Sequence, residues 1–243
     1  MKVGIISDIH GNVKALEAVL QELKSKDVEK IIVLGDLIGG APMSEEVVQK
    51  IMDLKDNLII VKGNREKNII EGLPEYVHDE KFKITQEQKD AHKYLGNELS
   101  NKSKEFVKNL PREIECEIEG KKIYVSHYPL DKKGNFRKHI KKANVQENEE
   151  MFSGIDAGIY LYGHTHIENY NTKDGKIYIN PGALGCPGKT NLAPYGILCI
   201  ENDKVNYEQL YAKYNVQEVI DYMIKTQFPG YKATLRLFYG IRE

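Results

Sequence analysis

Apolar positions in the first quarter of the chain fall into a repeating unit. Val3 to Ser7 is a short apolar run that stops at Asp8-Ile9-His10-Gly11-Asn12, and Val13 to Leu23 then sets Ala15, Leu16, Val19, Leu20 and Leu23 at helical spacing. Ile31 to Leu34 runs into Gly35-Asp36, and Glu45 to Leu54 repeats the helical period through Val47, Val48, Ile51 and Leu54. Leu58 to Val61 is followed by Gly63-Asn64. Strands that each close on a polar loop and alternate with helices predict a parallel sheet with right-handed crossovers.

From about Glu71 to Asn109 the pattern weakens and becomes charged, with helical spacing around Ala91, Tyr94, Leu95 and Leu99 and again around Phe106, Val107 and Leu110. This predicts a helical insertion at about 71–110, serving either as a solvated cover or as a lid that selects substrate. Beyond Pro111 the period shifts toward two in Ile114 to Ile118, Lys122 to Ser126, Ile159 to Tyr162, Ile177 to Asn180, Ile197 to Ile200 and Val205 to Leu210. Asp131 to Asn148 reads as a long surface loop. Val216 to Lys225 reads as a final helix, and the tail from Phe228 to Tyr239 is apolar enough to dock. The whole is expected to form one domain over 1–243, with the C-terminal helix and tail at about 212–243.

Composition narrows the partners. The 35 Lys and Arg against 36 Asp and Glu leave a formal net charge of -1, so no global field draws in nucleic acid or an anionic membrane. The basic stretch Lys132, Lys133, Arg137, Lys138, Lys141 and Lys142 reads as a solvated loop face rather than a nucleic-acid groove. No apolar run approaches the ~20 residues a bilayer span needs, and with strand-like sequence almost from Met1 the chain reads as cytoplasmic. The three cysteines, Cys116, Cys186 and Cys199, have no CxxC spacing and read as buried, reduced thiols rather than a disulfide framework or a thiolate zinc site.

Strongly coordinating side chains fall at the ends of these strands: Asp8 and His10, Asp36, Asn64, His127, and His164 with His166. In an open α/β sheet the carboxyl ends of strands are where ligands bind. The two-residue spacing of Asp8 with His10, and of His164 with His166, puts each pair on one side of extended chain. Carboxylate, imidazole and one amide suit Mn, Fe, Zn, Co or Ni, and seven ligands exceed one tetrahedral ion but fit a metal pair with a shared carboxylate. Gly11, Gly35, Gly63 and Gly163 beside these residues permit sharp turns and close approach.

The ordered motifs Asp8-Ile9-His10-Gly11-Asn12, Gly35-Asp36, Gly63-Asn64, His127 and Gly163-His164-Thr165-His166 resemble the calcineurin-like metallophosphoesterase superfamily. With Asn180-Pro181-Gly182-Ala183, the likeness is closest to its bacterial diadenosine-tetraphosphatase-like branch. The resemblance implies an α/β fold, a four-layer α-β-β-α sandwich of two mixed sheets flanked by helices. It implies Asp8, His10 and His166 on one metal, Asn64, His127 and His164 on the other, Asp36 between them, and a hydroxide held by both ions attacking phosphorus. The substrate implied is small and phosphorylated, such as a nucleotide.

Two departures bear on that substrate. The family commonly has His after Gly-Asn, whereas this chain has Arg65, and a guanidinium can clamp phosphate but cannot serve as a general acid. Arg65 with Asn64 and Asp36 is therefore expected to act on the reacting phosphate, favouring phosphoanhydrides and aryl or nucleotide diesters, with His78 or His92 as alternative proton donors. The second departure is the run Leu37-Ile38-Gly39-Gly40-Ala41-Pro42, which lacks the Arg-Gly of the family's protein phosphatases and disfavours a phosphoprotein. Asn12 is expected either to touch phosphate or to cap the helix that follows.

Overall fold

The computed structural model describes residues 1–54, 57–77 and 82–241. The first repeat is β1 (Lys2–Ile6), α1 (Val13–Ser25), β2 (Lys30–Val33), α2 (Ser44–Asp53) and β3 (Leu58–Ile60). Asn12 starts α1 by accepting the Ala15 amide at 3.0 Å, and the buried stripe Val13, Ala15, Leu16, Val19 and Leu23 recurs at three and four residues. Then come α3 (Asn64–Glu71), the short strands β4 (Tyr76–Val77) and β5 (Phe82–Lys83), α4 (Gln86–Glu98) and α5 (Asn101–Asn109).

The strand-rich half holds β6 (Glu113–Ile118), β7 (Lys121–Ser126), α6 (Val145–Met151), β8 (Ile159–Leu161), β9 (Asn169–Lys173), β10 (Lys176–Asn180), β11 (Leu192–Glu201) and β12 (Lys204–Lys213). The chain closes with α7 (Val216–Thr226) and α8 (Tyr231–Tyr239).

Two five-stranded mixed sheets result. The first runs β12-β11-β1-β2-β3, with β1, β2 and β3 parallel and β11 antiparallel to β1. The second runs β6-β7-β8-β10-β9, with β7, β8 and β10 parallel. Val3, Ile5, Ile32 and Leu34 meet Ile123, Val125, Ile159 and Leu161 in one apolar cluster, which is the seam between the sheets. The outer face of the first sheet packs on α1, α2, α7 and α8 through Leu16, Val19, Val47, Val219 and Leu235. The outer face of the second packs on α6 and neighbouring loops through an aromatic cluster of Tyr124, Tyr128, Phe152, Tyr160, Tyr162 and Tyr178. Helix, sheet, sheet and helix are the four layers the resemblance implied.

Besides the short strands β4 and β5 inside the stretch read as a helical insertion, and helix α8 in the apolar tail, three elements depart from the pattern reading. Strand β9 was not expected because Asn-Tyr-Asn-Thr-Lys has no apolar alternation; among the described residues it is a sheet edge paired with β10 alone, so one face of apolar residues is not required. Helix α6 begins inside the stretch read as loop, where Asn144 and Glu147 close a capping box. Helix α3 is the third, and its single buried residue is a carboxylate, Glu66.

Candidate metal centre

The C-terminal ends of β1, β2, β3, β7 and β8 meet at one edge of the sandwich, and each delivers part of a cluster. Asp8 and His10 leave β1, Asp36 leaves β2, Asn64 opens α3 after β3, His127 follows β7, and His164 and His166 follow β8. Asp8, His10, Asp36 and His127 are almost wholly buried, whereas the His166 side chain is 31% exposed. The cluster therefore opens to solvent on one side.

Two groups of donor atoms meet there. His10 Nε2 and His166 Nε2 are 3.0 Å apart, and Asp8 Oδ1 lies 3.3 Å from His166 Nε2 and 3.7 Å from His10 Nε2. Asn64 Oδ1 lies 2.9 Å from His164 Nδ1 and 3.1 Å from His127 Nε2, and those two nitrogens are 3.3 Å apart. Asp36 Oδ2 stands between the groups, 3.8 Å from His10 Nε2 and 3.6 Å from His127 Nε2.

The local backbone departs from the extended form expected of the Asp8–His10 and His164–His166 pairs. Asp8, His10, Asp36, His164 and His166 all have positive φ, between 50° and 67°. Such non-glycine residues each cost on the order of 1 kcal/mol or more, and their concentration here marks a site whose surroundings hold it in place. The strand ladder has ended at these positions, and the loops bond to one another instead: Asp8 N donates to Gly35 O at 3.1 Å and His10 N to Asp36 O at 2.9 Å.

Buried partners fix these side chains. Ser7 Oγ and the His164 amide both donate to Asp8 Oδ2, at 2.6 and 3.1 Å, which leaves Oδ1 facing the imidazoles. The Arg65 amide donates to Asp36 Oδ1 at 2.8 Å, which likewise turns Oδ2 inward. His127 Nδ1 donates to Leu34 O at 2.7 Å and presents Nε2. Gly63 and Gly163 are required by crowding: a Cβ on Gly63 would lie 2.2 Å from Asp36 Oδ1, and one on Gly163 would lie 2.0 Å from Ser7 Oγ.

Glu66 is a site residue that sequence reasoning missed. Its carboxylate accepts four backbone amides, from Asp36, Leu37, Ile38 and Gly63, at 2.8 to 3.2 Å. Burial and the Asp36 charge push its titration up to about 7, against the pull of the Gly63 and Ile38 amides and the nearby His127. The signal was available in Gly63-Asn64-Arg65-Glu66, where an acid three residues past a strand-ending glycine occupies a capping-box position.

The residues fit a bound cation. Asp8 Oδ1 and His10 Nδ1 are buried and have no hydrogen-bond partner, and imidazole nitrogens facing one another within 3.3 Å need a shared proton or a metal between them. Burial alone would raise the Asp8 carboxyl, but His166, His127 and His10 pull it far below the usual carboxylate range. Burial first, then neighbouring imidazoles, depress His10 and His164. Burial outweighs the His127 attraction and raises Asp36.

The other expected residues divide. Arg65 lies at the open rim with its side chain 43% exposed and Nε 4.0 Å from Asp36 Oδ2. Asn12 corrects the sequence reading of a phosphate contact: it is fully buried, and beyond its capping bond its amide donates to the Tyr214 and Tyr239 hydroxyls at 3.0 and 3.2 Å. His92 on α4 is depressed by burial and by the Arg65 charge. His78 lies outside the described residues. Two phenyl rings frame the cluster, Phe238 of α8 at 5.0 Å from the His10 ring and Phe136 at 5.0 Å from the His164 ring. The docked tail thus forms one wall of the site.

Among the described residues no helix is long and apolar enough to cross a membrane. Residues 1–203 match the model of the calcineurin-like phosphoesterase superfamily domain. An uncharacterised protein of Methanocaldococcus jannaschii is 30% identical over 98% of both chains. A phosphodiesterase of the same organism is 24% identical over 86% of this chain and 98% of its own length. The crystal structure of a metallophosphoesterase from Sphaerobacter thermophilus is 25% identical and covers 99% of both chains at a TM-score of 0.74.

Proposed function

Because the chain belongs to the calcineurin-like phosphoesterase superfamily, whose members hydrolyse phosphate esters with bound metal ions, we propose that it is a two-metal enzyme cleaving nucleotide-like diesters or phosphoanhydrides. The observation that carries this reading is the position of Asp36 Oδ2 between the two donor groups, within 3.8 Å of each. Asp8, His10 and His166 would hold one ion and Asn64, His127 and His164 the other, with Asp36 shared. Bound there, the ions supply Lewis acidity toward phosphoryl oxygens and acidify a water enough to serve as nucleophile near neutral pH.

The protein's own part is positioning. Glu66 ties the loop carrying Asp36 to the turn carrying Asn64, so the shared carboxylate and the amide keep one relative placement. Arg65, exposed beside Asp36, would clamp a phosphoryl oxygen. As a guanidinium it offers no proton to the departing oxygen, and His92 is depressed. Leaving groups that depart as stable anions are therefore favoured over alkyl alkoxides. The Phe238 ring beside His10 and His166 suits an aryl or nucleobase leaving group.

The test is hydrolysis of bis(p-nitrophenyl) phosphate beside p-nitrophenyl phosphate, with Mn, Fe, Zn, Co or Ni added to metal-stripped protein. Turnover of the diester that requires metal and exceeds that of the monoester is expected. Absence of turnover with every metal would sink the reading.

A further inference from the structure

We propose that Cys186 supplies a thiolate to the ion held by Asp8, His10 and His166, giving that half of the centre a soft ligand the other half lacks. This rests on the two-metal reading of the site. Cys186 Sγ and one nitrogen each of His10 and His166 lie within 4.8 Å of one another. In the same pocket Asp8, 0% exposed, turns Oδ1 toward the imidazoles without a hydrogen-bond partner. Asp8 Oδ1 points at His166 Nε2 across 3.3 Å.

The placement of Cys186 follows from the fold. It lies after β10, which is parallel to β8, so its loop emerges at the edge where the other ligands converge. Leu184 N donates to Ser7 O at 3.0 Å and Gly185 N to Asp8 O at 2.9 Å, which clips the loop to the one bearing Asp8 and His10. A Cβ on Gly185 would lie 2.0 Å from Ile9 O, so only glycine lets the neighbouring cysteine come this close. Cys116 and Cys199 sit on β6 and β11, and among the described residues neither joins a group of metal-capable side chains.

A cation bound beside a thiol favours its thiolate form. On coordination the S–H bond breaks, the proton leaves to solvent, and a sulfur lone pair forms the bond to the metal. Sulfur selects Zn, Co or Fe over Mn and Mg, so the two halves of the centre would differ in metal preference.

The experiment adds Co(II) to the metal-stripped full-length protein, counting bound cobalt by elemental analysis and recording visible and near-ultraviolet absorption. A thiolate-to-cobalt charge-transfer band in the near ultraviolet is expected. It should persist in the Cys116→Ser/Cys199→Ser double variant, which assigns it to Cys186, and be lost in Cys186→Ser while cobalt content and the visible bands remain. Two cobalt ions bound without the near-ultraviolet band would overturn the thiolate and leave the two-metal reading standing. No cobalt bound to the unsubstituted protein would overturn the two-metal reading and the thiolate with it.

Discussion

Asp8 Oδ1 and His166 Nε2 stand 3.3 Å apart and form an ion pair when the imidazole is protonated. Burial works against the imidazolium, but the Asp8 charge and its contacts push His166 from 6.5 up to about 11. A folded value above the unfolded one means that the pair's contribution to stability is complete below about 6.5 and fades as pH rises toward 11. Asp8, depressed from 3.8, adds its share above that value and loses it in acid. A metal ligand must be unprotonated, so an ion bound through His166 would displace its proton. Loading the metal-free protein at mildly alkaline pH should release at least one proton per chain, read with an indicator dye, and apparent affinity should rise with pH. Uptake without proton release would contradict the Asp8–His166 pairing. At this scale the seven clustered side chains were legible because each stands just past an apolar run. Cys186 was not, since nothing in the spacing of one cysteine says that its loop is clipped to the loop after β1.

Helix α3 is the element on which the site's rigidity depends. It carries few apolar residues, Ile69 and Ile70 packing at the margin of the core, and its one buried residue, Glu66, accepts amides from the chain after β2 and after β3. A buried amide left without its acceptor costs on the order of 1–3 kcal/mol, and loss of a residue that supports metal ligands typically lowers affinity 10–100-fold. Glu66→Ala should therefore destabilise the metal-free protein by about 3 kcal/mol or more in denaturant unfolding and weaken metal binding by about tenfold or more. An unchanged unfolding midpoint would contradict this role. The pattern reading missed α3 because it sought apolar periodicity, and a helix held by a buried carboxylate has little. It also expected extended chain at Asp8–His10 and His164–His166, because side-chain alternation assumes that the strand continues. The positive φ values there come from the loops' bonds to one another, which only the folded sheets provide.

Across the whole molecule, the site draws Asp8, His10, Asp36 and Asn64 from the first sheet's edge and His127, His164 and His166 from the second's, so it forms only when the two sheets pack. The seam that packs them is apolar, through Ile5, Ile32, Val125 and Leu161. Periodicity predicted the parallel half and the strand-rich half, but the face-to-face pairing was legible only through the family resemblance, because alternation says which face is buried and not against what. The tail was legible as apolar; that Phe238 lands on His10 and His166 was not. With a formal net charge of -1, the attraction for an anionic substrate must come from the proposed centre, in which Asp36 Oδ2 stands between the two donor groups. The most direct test is metal content by elemental analysis for the unsubstituted chain and for Asp36→Asn, each loaded and then desalted. The account predicts two ions per chain in the former, and fewer in the variant with activity lost in step. Two ions retained in Asp36→Asn would contradict the shared carboxylate on which the account turns.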